Sequence, residues 1–425
     1  MFTGIEGNSL AQEKKVFAIC GEFSGESHLA KVVREIKAIE PKTHIKGMAS
    51  SLCEHFGMEI FVDYKNFSFA GLTQVVVNLP KILSLKRKIV KEILEFKPDT
   101  VLLVDYAGFN LQVARSIKMA QARDESLKDI KIIQYIAPQI WASRPERIEN
   151  ILKYIDKVLC TLPFEEEIYN EVEQPVRYVG NPVLESLIDM SVEDAKAEIF
   201  SFLQEEYCAH SVENDNIALI PSDDAPLIGI FPGSRGFEIE YTLPLFVKTA
   251  KKIHEEYPQI RFVIAKAPTI SHAKLLKCGL KDAQNLIKVI DGETLPQANQ
   301  KLLKASDYLW LCSGTVTLEA ALYEKPYFLT YKANSINFML YKMFKIIDMA
   351  GLANIIAGKY IVKEFLQNNA TVSNFYAETC LWFEDYLYLE TMLQNLGVLR
   401  EMLSGYETSK LVAEEVLSIS ETIIT

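Results

Sequence analysis

Short apolar runs alternate with longer amphipathic stretches along this 425-residue chain, and this alternation limits the fold more than any other feature of the sequence. Four such runs occupy the N-terminal part: KVFAIC (15–20), TVLLVD (100–105), IKIIQYIA (130–137) and KVLCTL (157–162). Runs of consecutive Val, Ile and Leu residues indicate strands buried on both faces, as in a parallel sheet. Strands that alternate with helices indicate a doubly wound α/β fold.

The alternation stops in a polar and acidic stretch and then starts again. The later strand-like runs are LIGIF (227–231), RFVIAK (261–266), LIKVID (286–291), DYLWLC (307–312) and PYFLTY (326–331). The sequence therefore predicts two Rossmann-like doubly wound domains that face each other across a cleft. We place the first domain at 14–190, a linker or insertion with one short helix and a flexible loop at 191–226, the second domain at 227–390, and C-terminal helices at 391–425.

Charge and cysteine content argue against several classes of protein. A nucleic-acid-binding protein usually carries a basic face, whereas the net charge here is −11. The seven cysteines are odd in number and form no C-x-x-C pair, which argues against a disulfide framework or a zinc site and favours a reducing cytosol. The N-terminus lacks the pattern of a signal peptide, and no run of about 18 apolar residues predicts a transmembrane helix.

Open α/β sheets bind ligands beyond the carboxyl ends of their strands, and the first candidate residues follow two of the N-terminal runs. Ser24 and Gly25 lie in the turn GEFSGESH (21–28), where a helix N-terminus can bind an anion or a polar ligand. The other interpretation is an ordinary strand-to-helix turn. Asp105 directly follows a strand, so it is either a general base or a structural residue that caps a helix or forms an ion pair.

The loop FPGSRG (231–236) opens the second half of the chain. Gly233 permits the close approach of backbone N–H groups, Ser234 offers a hydroxyl, and Arg235 offers a planar fork that fits phosphate oxygens. A turn with a surface arginine is the alternative. The combination of these residues after a strand favours the phosphate site.

A second loop follows the run DYLWLC. Ser313, Gly314 and Thr315 end the strand and begin an apolar helix, whose exposed N–H groups and hydroxyls suit a diphosphate. Glu319 lies about one turn further along. Its carboxylate either accepts hydrogen bonds from two ribose hydroxyls or lies on the helix surface.

Two other stretches leave two interpretations open. The loop in 135–151, with Pro138 and Trp141, forms either one wall of the cleft or a packed loop. The basic and apolar stretch 79–94 forms either a helix on an anionic membrane surface or an amphipathic helix packed on its own domain. No D-x-D motif is present, so a nucleotide diphosphate would need arginine and a helix N-terminus in place of a metal ion.

Taken together, the motifs resemble those of the lipid-A-disaccharide synthases. They are GEFSGES, KPDTVLLVDYAGFNL, YIAPQIWASRPERI, TLPFEEEIY, VGNPVLE, FPGSRGFEIE, SGTVTLEAAL and ANIIAGKYIVKEFLQ. The resemblance covers residues 15 to 370 and implies a GT-B glycosyltransferase of Gram-negative lipopolysaccharide synthesis. Such an enzyme joins UDP-2,3-diacylglucosamine to 2,3-diacylglucosamine 1-phosphate and releases UDP. It uses no metal or other cofactor and associates peripherally with the cytoplasmic face of the inner membrane.

The resemblance also assigns roles to individual residues. Asp105 matches the proposed catalytic carboxylate, and Arg235 matches an arginine needed at the nucleotide. The remaining matches to the UDP-binding segments are Ser313, Gly314, Thr315, Glu319 and Asn354. The stretch 67–91 matches the surface that meets the membrane, and one C-terminal helix is expected to cross back to the first domain.

Some positions depart from the family pattern. Glu26 stands where the family often has aspartate, and Gly108 stands where it has a second aspartate. Ser143 replaces a tryptophan, and the polar segment 200–226 resembles an insertion. The absence of an acid at Gly108 concentrates the catalytic assignment on Asp105.

These matches predict an inverting glycosyl transfer. Asp105 accepts the proton of the attacking hydroxyl, while Arg235 and the turn at Ser313–Thr315 stabilise the departing UDP. Two alternatives stay open at this point: a UDP-N-acetylglucosamine 2-epimerase-like enzyme, and a non-catalytic membrane-associated sensor of nucleotide sugars. A homodimer is also left open.

Overall fold

The structure, a computed structural model, describes residues 13–67, 78–142, 145–210, 225–332 and 348–418. The chain divides into two compact units. Unit 1 comprises Met1–Pro182 and Gly405–Thr425, and unit 2 comprises Val183–Ser404.

Unit 1 is built on a parallel sheet with seven strands in the described residues. They are β1 (Lys15–Ile19), β2 (His44–Ala49), β3 (Glu59–Asp63), β4 (Thr100–Val104), β5 (Lys131–Tyr135), β6 (Lys157–Cys160) and β7 (Val176–Tyr178). Their order across the sheet is β3-β2-β1-β4-β5-β6-β7. The central strand β4 is buried at every position, which explains why its sequence is apolar throughout.

Unit 2 contains a second parallel sheet, with six strands in the described residues. They are β8 (Leu227–Phe231), β9 (Arg261–Lys266), β10 (Ile287–Asp291), β11 (Tyr308–Cys312), β12 (Tyr327–Tyr331) and β13 (Lys363–Leu366). Their order is β10-β9-β8-β11-β12-β13. The two sheets confirm the predicted α/β class with two doubly wound halves.

Helices connect the strands in both units. The described helices are α1 (Phe23–Ile39), α2 (Ser51–His55), α3 (Leu79–Phe96), α4 (Ala107–Gln121), α5 (Arg147–Tyr154), α6 (Pro163–Asn170), α7 (Val192–His210), α8 (Gly236–Glu256), α9 (His272–Lys277), α10 (Ala298–Ala305), α11 (Val316–Leu322), α12 (Leu352–Ala357), α13 (Val372–Glu384), α14 (Tyr386–Leu403) and α15 (Thr408–Ser418). Unit 1 holds α1 to α6 and α15, and unit 2 holds α7 to α14.

Helix α3 buries one face and exposes the other. Leu85, Ile89 and Ile93 belong to the core of unit 1, as the spacing of apolar residues predicts. Lys81 and Arg87 lie on the exposed face. The packed-helix interpretation therefore holds for the apolar stripe of this helix. Residues 68–77, which the resemblance also places at the membrane, lie outside the described residues.

The expected linker differs from the structure. Residues 192–210 form helix α7, which packs against α10 in unit 2 and buries Ala195 and Ile199 completely. The Lys301 ammonium on α10 pairs with the Glu198 carboxylate at 2.5 Å. Apolar residues on one side of this acidic segment drive the packing, so unit 2 begins at Val183 rather than at 227.

The expected group of C-terminal helices is divided between the units. Helix α14 lies in unit 2, whereas α15 lies in unit 1, against α1 and β4. The Thr100 hydroxyl donates to the Val416 carbonyl at 3.0 Å, and Lys157 pairs with Glu415 at 2.6 Å. These bonds tie the end of the described chain to the first sheet.

Each sheet has one point where the strand order reverses direction, between β1 and β4 in unit 1 and between β8 and β11 in unit 2. The loops that follow two such adjacent strands diverge and leave a crevice at the carboxyl edge of the sheet. The turn at 21–28 and Asp105 follow β1 and β4, and the loops at 232–236 and 313–315 follow β8 and β11.

Candidate functional site

Asp105 stands at the end of β4 in a backbone conformation that few residues adopt. Its φ angle is +46°, and that of Tyr106 is +45°. The Asp105 carbonyl accepts hydrogen bonds from the side-chain amides of Asn110 at 2.7 Å and Gln134 at 3.2 Å. Left-handed backbone at an aspartate costs about 1–3 kcal/mol and persists only where surrounding contacts hold it, which is common at functional sites.

The Asp105 carboxyl group is half-buried and lies within hydrogen-bonding reach of the Glu22 carboxyl group. The pKa of Asp105 is raised to about 6, mainly by burial and also by the negative charge of Glu22, while the Tyr106 backbone N–H opposes the rise. Near neutral pH this carboxylate is still largely ionised but is more basic than an ordinary aspartate. Those properties suit a general base.

The turn after β1 faces Asp105 closely. A Cβ atom at Gly21 would lie 2.5 Å from the Tyr106 ring, so only glycine allows the two loops to pack in this way. The Ser24 hydroxyl donates to Glu22 at 2.9 Å. Gly25 is buried in the first turn of α1. Ser24 and Asp105 are therefore linked through Glu22, a residue that the sequence motifs did not single out.

Glu26, one residue beyond Gly25, has a structural role. Its buried carboxylate accepts hydrogen bonds from the Ser50 N–H at 2.8 Å, the Ser50 hydroxyl at 3.1 Å and the Tyr64 hydroxyl at 2.9 Å. These bonds fix α1 to the segments after β2 and β3. The sequence signal for this role was an acid on the same helical face as the buried residues Leu29 and Ala30.

In unit 2, the loop after β8 is organised by Glu238. Its buried carboxylate accepts the backbone N–H groups of Ser234 at 2.9 Å and Arg235 at 3.1 Å. Gly233, at φ +118°, passes so close to Glu238 that a Cβ atom would lie 2.6 Å from the Glu238 Cβ. The two N–H groups therefore serve an internal carboxylate, which differs from the expectation that they face a ligand.

The Arg235 side chain is the cationic group that this loop presents. It is 65% exposed and makes a 3.2 Å contact with Glu238 through Nη1. Ser234 is exposed beside it. The loop can thus offer a guanidinium, which Glu238 contacts through Nη1, to an anionic ligand.

The loop after β11 lies at the same edge of the sheet as Arg235. Strands β8 and β11 are parallel neighbours, with Phe231 paired to Leu311, so the loops that follow them are adjacent. Burial raises the pKa of the Cys312 thiol, and the Arg235 charge opposes that rise. Ser313 donates its N–H to the Thr330 carbonyl at 2.8 Å, and Gly314 and Thr315 are exposed at the start of α11. The structure therefore brings Arg235 and the Ser313–Thr315 turn together.

Glu319 and Asn354 differ in their surroundings. Glu319 is half-buried on α11, one turn after Thr315. Asn354 is fully buried, and its amide nitrogen donates to the Val362 carbonyl at 3.0 Å and to Glu364 at 2.8 Å. Its amide oxygen accepts the N–H groups of Ile361 at 2.8 Å and Val362 at 3.0 Å. Asn354 thus holds the loop between α12 and β13, and its direct contact with UDP stays a prediction.

A further buried acid fixes the loop that carries Trp141. The Trp141 ring nitrogen donates to Glu165 at 3.0 Å, and the backbone N–H groups of Thr161 and Leu162 donate to the same carboxylate. Burial raises the pKa of Glu165 to about 7, although the hydrogen bonds from these three donors act to lower it. Ser143 and Arg144 lie outside the described residues. The described part of this loop is packed, which agrees with the packed-loop interpretation.

No three histidine, cysteine or acidic side chains of the described residues converge as metal ligands would. None of the helices that the described residues form has the length and apolar character needed to cross a bilayer.

The fold with these two loop clusters is that of the GT-B glycosyltransferases and the epimerases that share their architecture. The structure of the UDP-GlcNAc 2-epimerase from Neisseria meningitidis, bound to UDP-GlcNAc, superposes with a TM-score of 0.59 at 14% identity, over 95% of this chain and 100% of that chain. The glycotransferase of kitacinnamycin gives a TM-score of 0.60 at 13% identity, over 96% and 99%. These similarities establish the fold.

Sequence comparison establishes the family. The profile of the family described as Lipid-A-disaccharide synthetase matches residues 16–391. The "Lipid-A-disaccharide synthase 1" of Legionella pneumophila (strain Paris) is 32% identical over 398 residues, which span 92% of this chain and 94% of that protein. The chain belongs to the lipid-A-disaccharide synthetase family and is a glycosyltransferase of lipid A biosynthesis.

Proposed function

We propose that the enzyme transfers the sugar of UDP-2,3-diacylglucosamine to 2,3-diacylglucosamine 1-phosphate by inverting transfer without a metal ion. The products are the β-1,6-linked disaccharide 1-phosphate and UDP. The observation that carries the proposal is the Asp105 carboxyl group, held at the reversal point of the first sheet with its pKa raised to about 6. Family membership supports the lipid-linked sugars as substrates.

Asp105 acts as the general base in this proposal. The acceptor hydroxyl oxygen bonds to the anomeric carbon of the donor, the bond from that carbon to the UDP oxygen breaks, and the hydroxyl proton passes to Asp105. A base whose pKa lies close to the working pH is ionised and still accepts a proton readily. The two side-chain hydrogen bonds to the Asp105 carbonyl support a fixed position for this carboxylate.

Unit 2 binds the nucleotide. Arg235 neutralises the charge that develops on the diphosphate, and the Ser313–Thr315 turn offers hydroxyl and N–H groups beside it. Glu319 binds the ribose hydroxyls. The exposure of the Arg235 side chain and its position beside the end of β11 support this assignment. Gly233 and Ser234 shape the loop that carries the arginine.

The enzyme is cytoplasmic and associates peripherally with the inner membrane through the face of α3 that is turned away from the core. Lys81, Arg87 and Lys91 on this face are exposed, and such a basic surface is attracted to anionic lipids. Binding to vesicles with and without anionic lipid, at low and high salt, tests the association. Sedimentation velocity tests whether two chains form a homodimer.

The reaction is tested by mass spectrometry with both acylated sugars. We expect disaccharide 1-phosphate and UDP in equal amounts, and no change after dialysis against EDTA. Loss of turnover after that dialysis, restored by a divalent cation, would contradict the metal-free mechanism. Conversion of the UDP-sugar in the absence of acceptor would instead identify an epimerase, and UDP binding without turnover would identify a sensor.

A further inference from the structure

Glu22 is a charged residue beside Asp105, and it is not among the site residues assigned so far. It is exposed at the start of α1, and its carboxyl group lies within hydrogen-bonding reach of the Asp105 carboxyl group. Two carboxyl groups that approach each other in this way share one proton or repel each other as two anions.

The contacts around Glu22 hold it against Asp105. The Ser24 hydroxyl donates to Glu22 Oε1 at 2.9 Å and fixes the orientation of that carboxyl group. The close packing of Gly21 on the Tyr106 ring fixes the two loops relative to each other. The pairing is thus built by the backbone and by a neighbouring side chain rather than by two freely moving acids.

In the described part of unit 1, the charged and titratable groups around the pair come from the segments after β1 and β4 and from two helices. Cys20 follows β1, Glu26 lies on α1, Tyr106 follows β4, and Arg147 begins α5. Burial and the Glu22 charge raise the pKa of Tyr106, and they act in the same direction on Cys20, so both stay neutral near pH 7. The Arg147 guanidinium lies 4.0 Å from where a Cβ atom at Gly108 would be, on the first turn of α4.

Resting on the proposed function, we propose that Glu22 is a positioning residue that shares the proton of Asp105 and sets the basicity of that general base. The negative charge of Glu22 makes Asp105 a stronger base in the resting enzyme. When the acceptor hydroxyl is deprotonated, its proton moves to Asp105 and is held between the two carboxyl groups. In this chain Glu22 supplies the second carboxylate that Gly108 cannot supply.

The coupling is tested first without substrates. Carbon-13 labelling of the aspartate carboxyl groups allows an NMR titration, in which the signal missing from Asp105→Asn identifies Asp105. We expect Glu22→Gln to lower the Asp105 pKa by roughly half to one unit, because burial of Asp105 remains while the like charge is removed. Glu54→Gln, which removes another exposed carboxylate of unit 1, should leave the Asp105 pKa unchanged.

The effect on catalysis is tested by the pH dependence of kcat/KM. In Glu22→Gln the acid limb should move to lower pH by the same amount as the NMR titration, and the plateau should fall roughly two- to fivefold because the base is weaker. Glu22→Asp keeps the charge, so it should restore the position of the acid limb in part. A merely structural role would lower activity without moving the limb.

The outcomes separate this inference from the proposed function. An Asp105 titration that is identical in wild type and Glu22→Gln overturns the coupling, whatever the activity of the variant. Full turnover in Asp105→Asn overturns the base assignment, even if the NMR titration shows coupling. Thermal unfolding of each variant, with Glu54→Gln as the matched control, identifies any loss of folding.

Discussion

At the scale of single residues, the polar side chains beside the strand ends fall into two groups. Glu26, Glu238 and Asn354 are buried, and their polar atoms bond to neighbouring protein groups. Asp105 and Arg235 are more exposed. Buried polar atoms must be hydrogen-bonded to avoid a large desolvation cost, so the first group shapes the loops and the second is available for substrates.

Asn354 should contribute mainly to the stability of the fold. Asn354→Ala leaves the Val362 carbonyl and the N–H groups of Ile361 and Val362 without their amide partner, which should lower the free energy of unfolding by about 2–4 kcal/mol. Denaturant unfolding measures the loss. Asn395→Ala, which removes one bond to a helix carbonyl, is the control and should cost less than about 1 kcal/mol. Equal losses in the two variants would contradict the structural role.

Arg235 should matter for the nucleotide rather than for folding. Because its side chain is 65% exposed, Arg235→Ala should barely change the unfolding free energy. It should weaken UDP binding about 10- to 100-fold, since a charged hydrogen bond to the diphosphate is lost. Arg235→Lys keeps the charge without the planar fork and should lie between wild type and Arg235→Ala. Calorimetric titration with UDP measures the effect, and wild-type affinity in Arg235→Ala would remove this residue from the nucleotide site.

At the scale of elements, the continuous apolar strands were the most predictable part of the fold. LIGIF and RFVIAK form β8 and β9 at the predicted bounds. Strand β2 (HIKGMA) and strand β7 (VRY) were not predicted, because polar residues or a length of three residues leave no such run. Helix α7 was predicted only as a short helix within a linker, because its acidic residues obscured the apolar side that packs on α10.

The candidate site was predictable in position but not in its internal partners. Strand ends at the reversal points of the sheets marked Asp105 and Arg235. The pairing of Asp105 with Glu22 joins residues far apart in sequence, so no local pattern indicates it. The Glu238 bonds depend on the backbone path of the glycine loop, which residue type alone does not specify.

The link between α6 and the Trp141 loop should make stability depend on pH. Glu165 has a pKa of about 7 in the folded protein against 4.5 for an ordinary glutamate, so the fold retains a proton that the unfolded chain releases between these values. Its contribution to stability is therefore full below pH 4.5 and is lost as the pH rises to about 7. Across this pH window, the free energy of unfolding of wild type should fall by about 1–3 kcal/mol relative to that of Glu165→Gln.

Unfolding free energies of both proteins at pH 5 and pH 8 measure this difference. Glu125→Gln, which changes an 82%-exposed carboxylate of unit 1, should behave as wild type. The same pH dependence in wild type and Glu165→Gln would show that Glu165 is ionised in the folded protein.

At the scale of the whole molecule, the chain forms two units, each with its own parallel sheet and its own cluster of candidate residues at the reversal point. In the proposed reaction, the base belongs to unit 1 and the residues for the leaving group belong to unit 2. Substitutions in the two units should therefore affect different steps. Changes at Asp105 should lower turnover, and changes at Arg235 should lower nucleotide affinity as well.

The assignment of Asp105 as the base is the central claim, and one measurement tests it most directly. Turnover of Asp105→Asn with both acylated sugars is followed by mass spectrometry, and UDP affinity is measured on the same preparation. We expect turnover to fall by at least about 100-fold, because the amide cannot accept the proton, while UDP affinity stays within about twofold of wild type. Wild-type turnover in Asp105→Asn would contradict the account.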